Sequence, residues 1–284
     1  MTPSAVAATE ACIERIHRHN EVVNAVVTWD EDAALARAAE VDKATSEGRW
    51  LGILHGMTMT LKDNIATAGM RTTSGAIFSA DHVPNEDADV VRRMRDSGAV
   101  LIGKANMQEL AFGVVTTNPV FGQCRNPWNP DYIPGGTSGG SGASVAAGMC
   151  QGSLGTDTGG SVRIPASMTG VAGLRPTHGR ISFRGVTPGS KSNDTIGPMA
   201  REVCDVARMF AALAGYDPAD PVSVDHPLEN FLPTLGDGIK GKRIGIARKF
   251  HFQRLHPEVE QAVLNSIKVF ERLGAEICEI DLPG

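Results

Sequence analysis

Two glycine loops flanking a run of small residues constrain this chain more than any other feature. The first, PGGTSGGSGA, spans residues 134–143; the second, GTDTGGSVRIPA, spans 155–166. The stretch SGASVAAGM (141–149) has helix-forming residues and almost no bulk, which predicts a buried helix that its neighbours approach closely. SLGTD predicts a short strand, and TGGSVRIPA a tight loop after it. The 32 glycines concentrate between Gly135 and Gly189, and aromatic residues are only 5% of the chain. The interior is therefore expected to pack around backbone.

The flanking sequence reads as alternating helices and strands. Residues 4–19 are amphipathic, with Val6, Ile13 and Ile16 on one face, and 31–47 form an Ala-rich helix. GMTMTLKDN predicts a strand ending near Leu61, with Lys62 at its carboxyl end. DADVVRRMRDSG predicts a helix from 87 to about 97, with an acidic first turn and Gly98 as C-cap. AVLIGK follows as a strand, and strand–helix–strand is the signature of parallel pairing. Further on come a helix over 201–215, with Val203, Val206, Phe210 and Leu213 on one face, and the strand RIGIA. A helix over 257–273, opened by Pro257 and closed by Gly274, and the strand EICEI follow. Residues 215–242 are loop-like, a linker or a surface excursion. The fold class expected is α/β, a mixed, mostly parallel twisted sheet covered by helices on both faces, in a single domain over 1–284.

Charge and cysteine usage narrow the function classes. The 284-residue chain has a net charge of -5, which argues against a nucleic-acid groove or an anionic membrane surface. Its five cysteines are scattered, with neither a disulfide framework nor zinc spacing. No apolar run reaches the length of a membrane span, and the opening MTPSAVAATE lacks the basic and apolar regions of a signal peptide. A cytoplasmic location is expected.

The second loop carries the chemistry. A serine hydroxyl needs a base beside it and N–H donors aimed at the oxyanion that its attack creates. In Thr158-Gly159-Gly160-Ser161 the glycine N–H groups are free to turn toward a bound carbonyl, which makes Ser161 a candidate nucleophile over an oxyanion hole of backbone donors. Asp157 and Arg163 flank the turn and could brace it as an ion pair. The first loop offers Thr137, Ser138 and Ser141, and its residues 136–140 fit the G-x-S-x-G elbow that would make Ser138 the nucleophile. His178, His226, His251 and His256 lie downstream, but none stands in an acid-paired context, and no apolar strand precedes the loop. No G-x-x-x-x-G-K-[ST] supports phosphate binding. Lys62 ends an apolar strand. Burial there would favour its neutral form and let it act as a base, whereas most lysines snorkel to the surface.

Taken together, LHGMTMTLKDNI, PGGTSGGSGA, LGTDTGGSVRIPA, GLRPTHGRIS and DTIGPMARE resemble the amidase signature family over nearly the whole chain. The resemblance implies a triad of lysine, a serine held by a cis peptide and a nucleophilic serine. Carried over, Lys62 is the base and Ser161 the nucleophile. The bridging position, usually the first serine of Gly-Gly-Ser-Ser-Gly-Gly, falls on Thr137 by spacing, with Ser138 beside it as the alternative. The implied reaction is amide hydrolysis through an acyl-enzyme, with no metal or organic cofactor. The implied partner is a small-molecule amide, with no direct nucleic-acid or membrane contact. A homodimer, or partner subunits if the chain is an amidotransferase A-type subunit hydrolysing glutamine, are the implied assemblies. Family members are longer, so the resemblance implies further sheet and pocket wall beyond LPG, and an inactive fragment or scaffold stands as the reading of another class.

Overall fold

In the computed structural model, which describes residues 4–282, side-chain caps open the first two helices. α1 (Ala5–Val23) begins where Ser4 Oγ accepts the N–H of Ala7 at 3.2 Å. α2 (Glu31–Ser46) begins where Asp30 accepts that of Ala33 at 2.9 Å. Each oxygen satisfies a donor that the first helical turn leaves without an intrahelical partner. Between them, β1 (Val26–Trp29) forms one edge of a six-stranded sheet. The other strands are β2 (Thr58–Lys62), β3 (Val100–Ala105), β4 (Gly152–Asp157), β5 (Ala172–Gly173) and β6 (Thr195–Ala200), in the order β1-β3-β2-β4-β6-β5. β2 is parallel to β3 and β4, while β1, β5 and β6 run antiparallel to their neighbours. The sheet is thus mixed, with a parallel centre, and α3 (Asp89–Asp96) supplies the crossover from β2 to β3.

Strand alternation divides the core between the two faces of the sheet. Met59, Leu61, Leu101, Leu154 and Ile196 join Val90, Val91 and Met94 of α3 on one face. Val206, Met209 and Leu213 of α6 (Val203–Leu213) complete that cluster. On the other face Val26 and Ile102 pack with Ile16 of α1 and with Ala143 and Val145 of α4 (Gly139–Ala146). Val100 meets Ala34, Ala38 and Val41 of α2 there. The alternate residues of β2 on this face are polar, and they bond to one another's neighbours: Thr60 Oγ1 lies 2.8 Å from Ser153 Oγ and 3.1 Å from Ser144 Oγ.

The small residues of α4 are needed for its depth. A Cβ on Gly140 would sit 2.4 Å from the backbone N and O of Asn106, and one on Gly155 of β4 would sit 2.7 Å from Ser138 Oγ. α4 starts at Gly139, two residues before the run that predicts it. The second loop is shorter than expected, because α5 (Arg163–Thr169) begins within RIPA. β1, β5 and β6 have no counterpart in the sequence reading. β6 reads TIGPMA, with a glycine and a proline that locally disfavour a strand, yet all six residues are buried and register with β4 from Gly152↔Ala200 to Asp157↔Thr195. Tertiary pairing outweighs local preference there. In α6 Val203 is 68% exposed, at the first helical position rather than on the core face.

The described residues form two compact units, one up to Glu229 and one from Asn230 onward. The second unit contains β7 (Arg243–Ile246), α7 (Arg248–His251), α8 (Pro257–Arg272) and β8 (Glu276–Glu279), with β7 and β8 parallel. Among the described residues no helix is long and apolar enough to cross a membrane.

Candidate active site

The parallel centre of the sheet brings three separate chain segments to one end. Lys62 is the last residue of β2, Ser161 lies in the turn after β4, and Thr137 and Ser138 precede α4. Lys62 is 0% exposed. Its Nζ donates to Thr137 Oγ1 at 2.6 Å and to Thr156 Oγ1 at 2.7 Å. No carboxylate lies within ion-pair distance of it among the described residues. Burial is the largest influence on this lysine and lowers its pKa to about 7, against a partial upward pull from Asp194 and Asp157. A buried amine that binds hydroxyls rather than a carboxylate is set to exchange a proton near neutrality.

The two candidate bridging residues differ in their partners. The Gly136–Thr137 peptide bond is cis, and Thr137 presents its hydroxyl to Lys62. Ser138 Oγ is engaged with the backbone of Thr156, donating to its C=O at 3.1 Å and accepting its N–H at 3.2 Å. Ser138 N–H also donates to Ser161 C=O at 3.2 Å, which fastens the first loop to the second. Ser141 Oγ donates to Leu154 C=O at 3.1 Å and serves the packing of α4.

The turn that carries Ser161 is organised around Asp157. Arg163 approaches this fully buried carboxylate with two N–H groups, each at 3.0 Å, and Arg175 adds a third at 2.9 Å while also donating to Asp157 C=O. The N–H groups of Gly160 and Val162 donate to the same carboxylate at 2.8 and 3.1 Å. Burial opposes ionisation of Asp157, but the bonds from Arg163 and Val162 outweigh it and hold its pKa at about 2. Gly160 has φ +134°, a conformation open to glycine, and a Cβ there would meet Ile164 at 2.9 Å. Because Gly160 N–H is committed to Asp157, the donors of this turn without a partner among the described residues are Thr158, Gly159 and Ser161 N–H. A Cβ on Gly159 would meet nothing within 4 Å, so the space beside it is open. Ser161 Oγ makes no hydrogen bond among the described residues. His178 Nδ1–H donates to Asp194 C=O, 2.9 Å away, and His226 Nδ1–H donates to Pro227 C=O at 2.9 Å, so both rings are tied to backbone carbonyls.

Sequence reasoning did not single out Thr156, Asn64, Arg175 or Asp194. Asn64 Nδ2 donates to Thr156 Oγ1 at 3.3 Å and to Thr187 C=O at 3.2 Å. Asp194 accepts from Thr158 Oγ1 and from the N–H groups of Gly189 and Ser190. Thr156 and Asn64 stand in the quoted motifs, but nothing in their spacing distinguishes them from ordinary loop and strand polar residues.

The family described as Amidase matches residues 7–284. The chain belongs to the amidase family. It is 44% identical over 279 residues to the A-type subunit of glutamyl-tRNA(Gln) amidotransferase from Lachnospira eligens, covering 98% of this chain and 58% of that protein. It is 45% identical over 276 residues to the corresponding A-type subunit from Moorella thermoacetica, covering 97% of this chain and 57% of the relative. Among solved structures, the native peptide amidase of Stenotrophomonas maltophilia superposes with a TM-score of 0.89 at 37% identity, covering 99% of this chain and 59% of that one. The A-type subunit of glutamyl-tRNA(Gln) amidotransferase from Thermotoga maritima superposes with a TM-score of 0.87 at 32% identity, covering 98% of this chain and 59% of that one. The α/β fold is that of the amidases, and the chain spans about 58% of the length of the curated relatives.

Proposed function

We propose that this amidase-family chain carries the reacting groups of an amide hydrolase, with Lys62 as base, Thr137 as relay and Ser161 as nucleophile. The observation that carries the reading is the fully buried Lys62, 2.6 Å from Thr137 Oγ1 and held by hydroxyls alone. A neutral lysine has one lone pair and two N–H donors. With Thr156 Oγ1 accepting one N–H of Lys62 as well as one of Asn64, the lone pair of the neutral amine is left for the Thr137 proton. Thr137 then takes the proton of Ser161, and Ser161 Oγ attacks the amide carbon. The carbonyl oxygen collects the negative charge and is met by N–H groups of Thr158, Gly159 and Ser161. Collapse breaks the C–N bond, and the proton held by Lys62 passes through Thr137 to the departing amine. Water attacks the acyl-enzyme by the same path in reverse and frees the acid and Ser161. The contact from Thr137 to Ser161 is one that substrate would close, since catalytic hydrogen bonds often tighten only in the Michaelis complex.

The substrate class is a carboxamide or related acyl compound. Glutamine, hydrolysed in an assembly with partner subunits, is the second reading, favoured by the relatives named as amidotransferase A-type subunits. The test is labelling with a fluorophosphonate, with the adduct located by mass spectrometry and ammonia release from primary carboxamides and glutamine measured in parallel. An adduct on Ser161 that Ser161→Ala abolishes supports the triad. An adduct on Ser138 transfers the role to the elbow serine, and a folded chain with no adduct supports the non-catalytic scaffold.

A further inference from the structure

Two buried carboxylates lie at the sheet end that carries Lys62 and Ser161, Asp157 as the last residue of β4 and Asp194 just before its β6 partner Thr195, and they differ in what neutralises them. Asp157 has Arg163 and Arg175 within ion-pair distance. Asp194 is only 4% exposed and forms no ion pair among the described residues. Its two oxygens are filled by neutral donors: Thr158 Oγ1, Gly189 N–H at 2.7 Å and Ser190 N–H at 2.8 Å. A buried carboxylate without a cation keeps its full field, whereas one clamped by two guanidinium groups is largely cancelled. Two ionisable side chains bond to the backbone of this segment rather than to the Asp194 oxygens: Arg175 donates to Asn193 C=O at 2.7 Å, and the His178 ring donates to Asp194 C=O at 2.9 Å.

Asp194 also sits at a joint. It immediately precedes β6, whose Thr195 is paired with Asp157 at the end of β4. Its bond to Thr158 therefore ties the turn that carries Ser161 to the segment 187–194. That segment is held from the β2 side as well, where Asn64 Nδ2 donates to Thr187 C=O and Ser74 Oγ donates to Thr187 Oγ1 at 3.0 Å. Asn64, two residues beyond Lys62, also reaches Thr156, a partner of the Lys62 amine.

We propose that Asp194 is a positioning residue of this site: as a buried carboxylate without a cation it biases Lys62 toward the ammonium form, and as a latch on Thr158 it fixes the turn that carries Ser161. One side chain thereby sets both the base and the nucleophile. The effect on Lys62 is independent of the reaction, whereas the effect on Ser161 rests on the proposed function.

The full chain labelled with 13C at lysine Cε is titrated by NMR, the Lys62 signal being the one absent from Lys62→Met. Asp194→Asn removes the charge at constant size, and its Lys62 midpoint is expected to fall by about one pH unit. Asp194→Glu restores the charge and is expected to return the midpoint toward that of the native chain. In parallel, labelling of Ser161 in Asp194→Asn is expected to weaken on its plateau while its acid limb moves to lower pH. A merely structural role would weaken labelling without moving the limb. A folded Asp194→Asn chain whose midpoint is unchanged or raised overturns the proposal. Thr158→Val covers the case in which that variant does not fold. It keeps the charge and loses one hydrogen bond, so its midpoint should stay while labelling slows; a lowered midpoint or undiminished labelling overturns the proposal. A midpoint that falls in Asp194→Asn, in a chain whose Ser161 is never labelled, supports the electrostatic assignment and refutes the hydrolase reading instead.

Discussion

If Lys62 is the base, its depth of burial predicts the shape of a pH profile. Lys62 titrates at about 7 because burial penalises its charge. Its neutral fraction is then about one-tenth at pH 6, half at pH 7 and nine-tenths at pH 8. If the neutral amine receives the Ser161 proton through Thr137, the labelling rate at sub-saturating fluorophosphonate follows that fraction. It should rise about tenfold from pH 6 to pH 8 and level off above. A solvent-exposed lysine, with its ordinary pKa near 10.4, would give about a hundredfold rise over the same interval and no plateau until far more alkaline pH. Lys62→Met removes the base and should lower the plateau by about 10²–10⁴-fold, leaving a profile flat through neutrality. The assay is intact-mass spectrometry of the phosphonylated chain over a buffer series, with circular dichroism showing the fold at each pH. A climb that continues unbroken through pH 9 in a folded chain would refute the buried neutral lysine. Labelling of Lys62→Met at the native rate would show that Ser161 is activated by another group.

Three further outcomes follow from the same geometry. Thr137→Val deletes the hydroxyl between amine and serine while keeping the shape, and should cut labelling by about 10²-fold or more, with Thr137→Ser retaining most of it. Ser138→Ala should instead cost stability, about 1–3 kcal/mol by urea unfolding, because the buried Thr156 N–H loses its acceptor; Ser161 labelling of the folded variant should persist. The depressed pKa of Lys62, about 7, and that of the equally buried Lys104, about 8, mean that at alkaline pH the unfolded chain holds protons which the folded chain has released. Stability should therefore rise with pH from about 7 toward about 10, with the full penalty standing below pH 7. In urea titrations at pH 7 and pH 9, Lys62→Met should remove on the order of 2 kcal/mol of that rise, and an equal rise in both proteins would count against a neutral Lys62.

The sequence makes some parts of this molecule plain and hides others for identifiable reasons. β2, β3 and the helix between them are legible because hydrophobic alternation, an acidic first turn and a Gly98 stop all act within a few residues. Gly98 has the positive φ that such a stop uses. β6 is illegible because its strand identity comes from β4, across an antiparallel pairing no local pattern records, and its Gly197 and Pro198 argue the other way. Lys62 and Ser161 stand out only through the combination of motifs, because a lysine at a strand end or a TGGS turn is ordinary by itself. The brace from Arg163 to Asp157 is suggested by proximity in sequence, whereas Arg175, which grips the same carboxylate, lies 18 residues away. Thr137 and Ser138 are adjacent, and spacing alone separates them weakly. What distinguishes them is where the hydroxyls point, Thr137 to Lys62 at the end of β2 and Ser138 to the backbone of Thr156 on β4.

A lysine base makes opposing demands on its surroundings. It must be dry enough to lose its proton near neutrality, yet a buried amine without hydrogen bonds is too costly to keep. Hydroxyls resolve the conflict, since Thr137 and Thr156 satisfy the amine without adding charge, whereas a carboxylate at the same distance would hold the ammonium form well above neutral pH. The same logic accounts for the two arginines on Asp157. This carboxylate is needed to shape the Ser161 turn through Gly160 and Val162 N–H, but its charge would act on Lys62 if left bare. Arg163 and Arg175 let it shape the turn while cancelling much of its field. Among the described residues Asp194 has no such clamp, so the proton affinity of Lys62 reflects burial set against the pull of Asp194 and what is left of the pull of Asp157. On the proposed roles, the pH range of this site would be set by burial together with residues that never touch the reacting atoms, and changing those residues would move it without altering Lys62, Thr137 or Ser161.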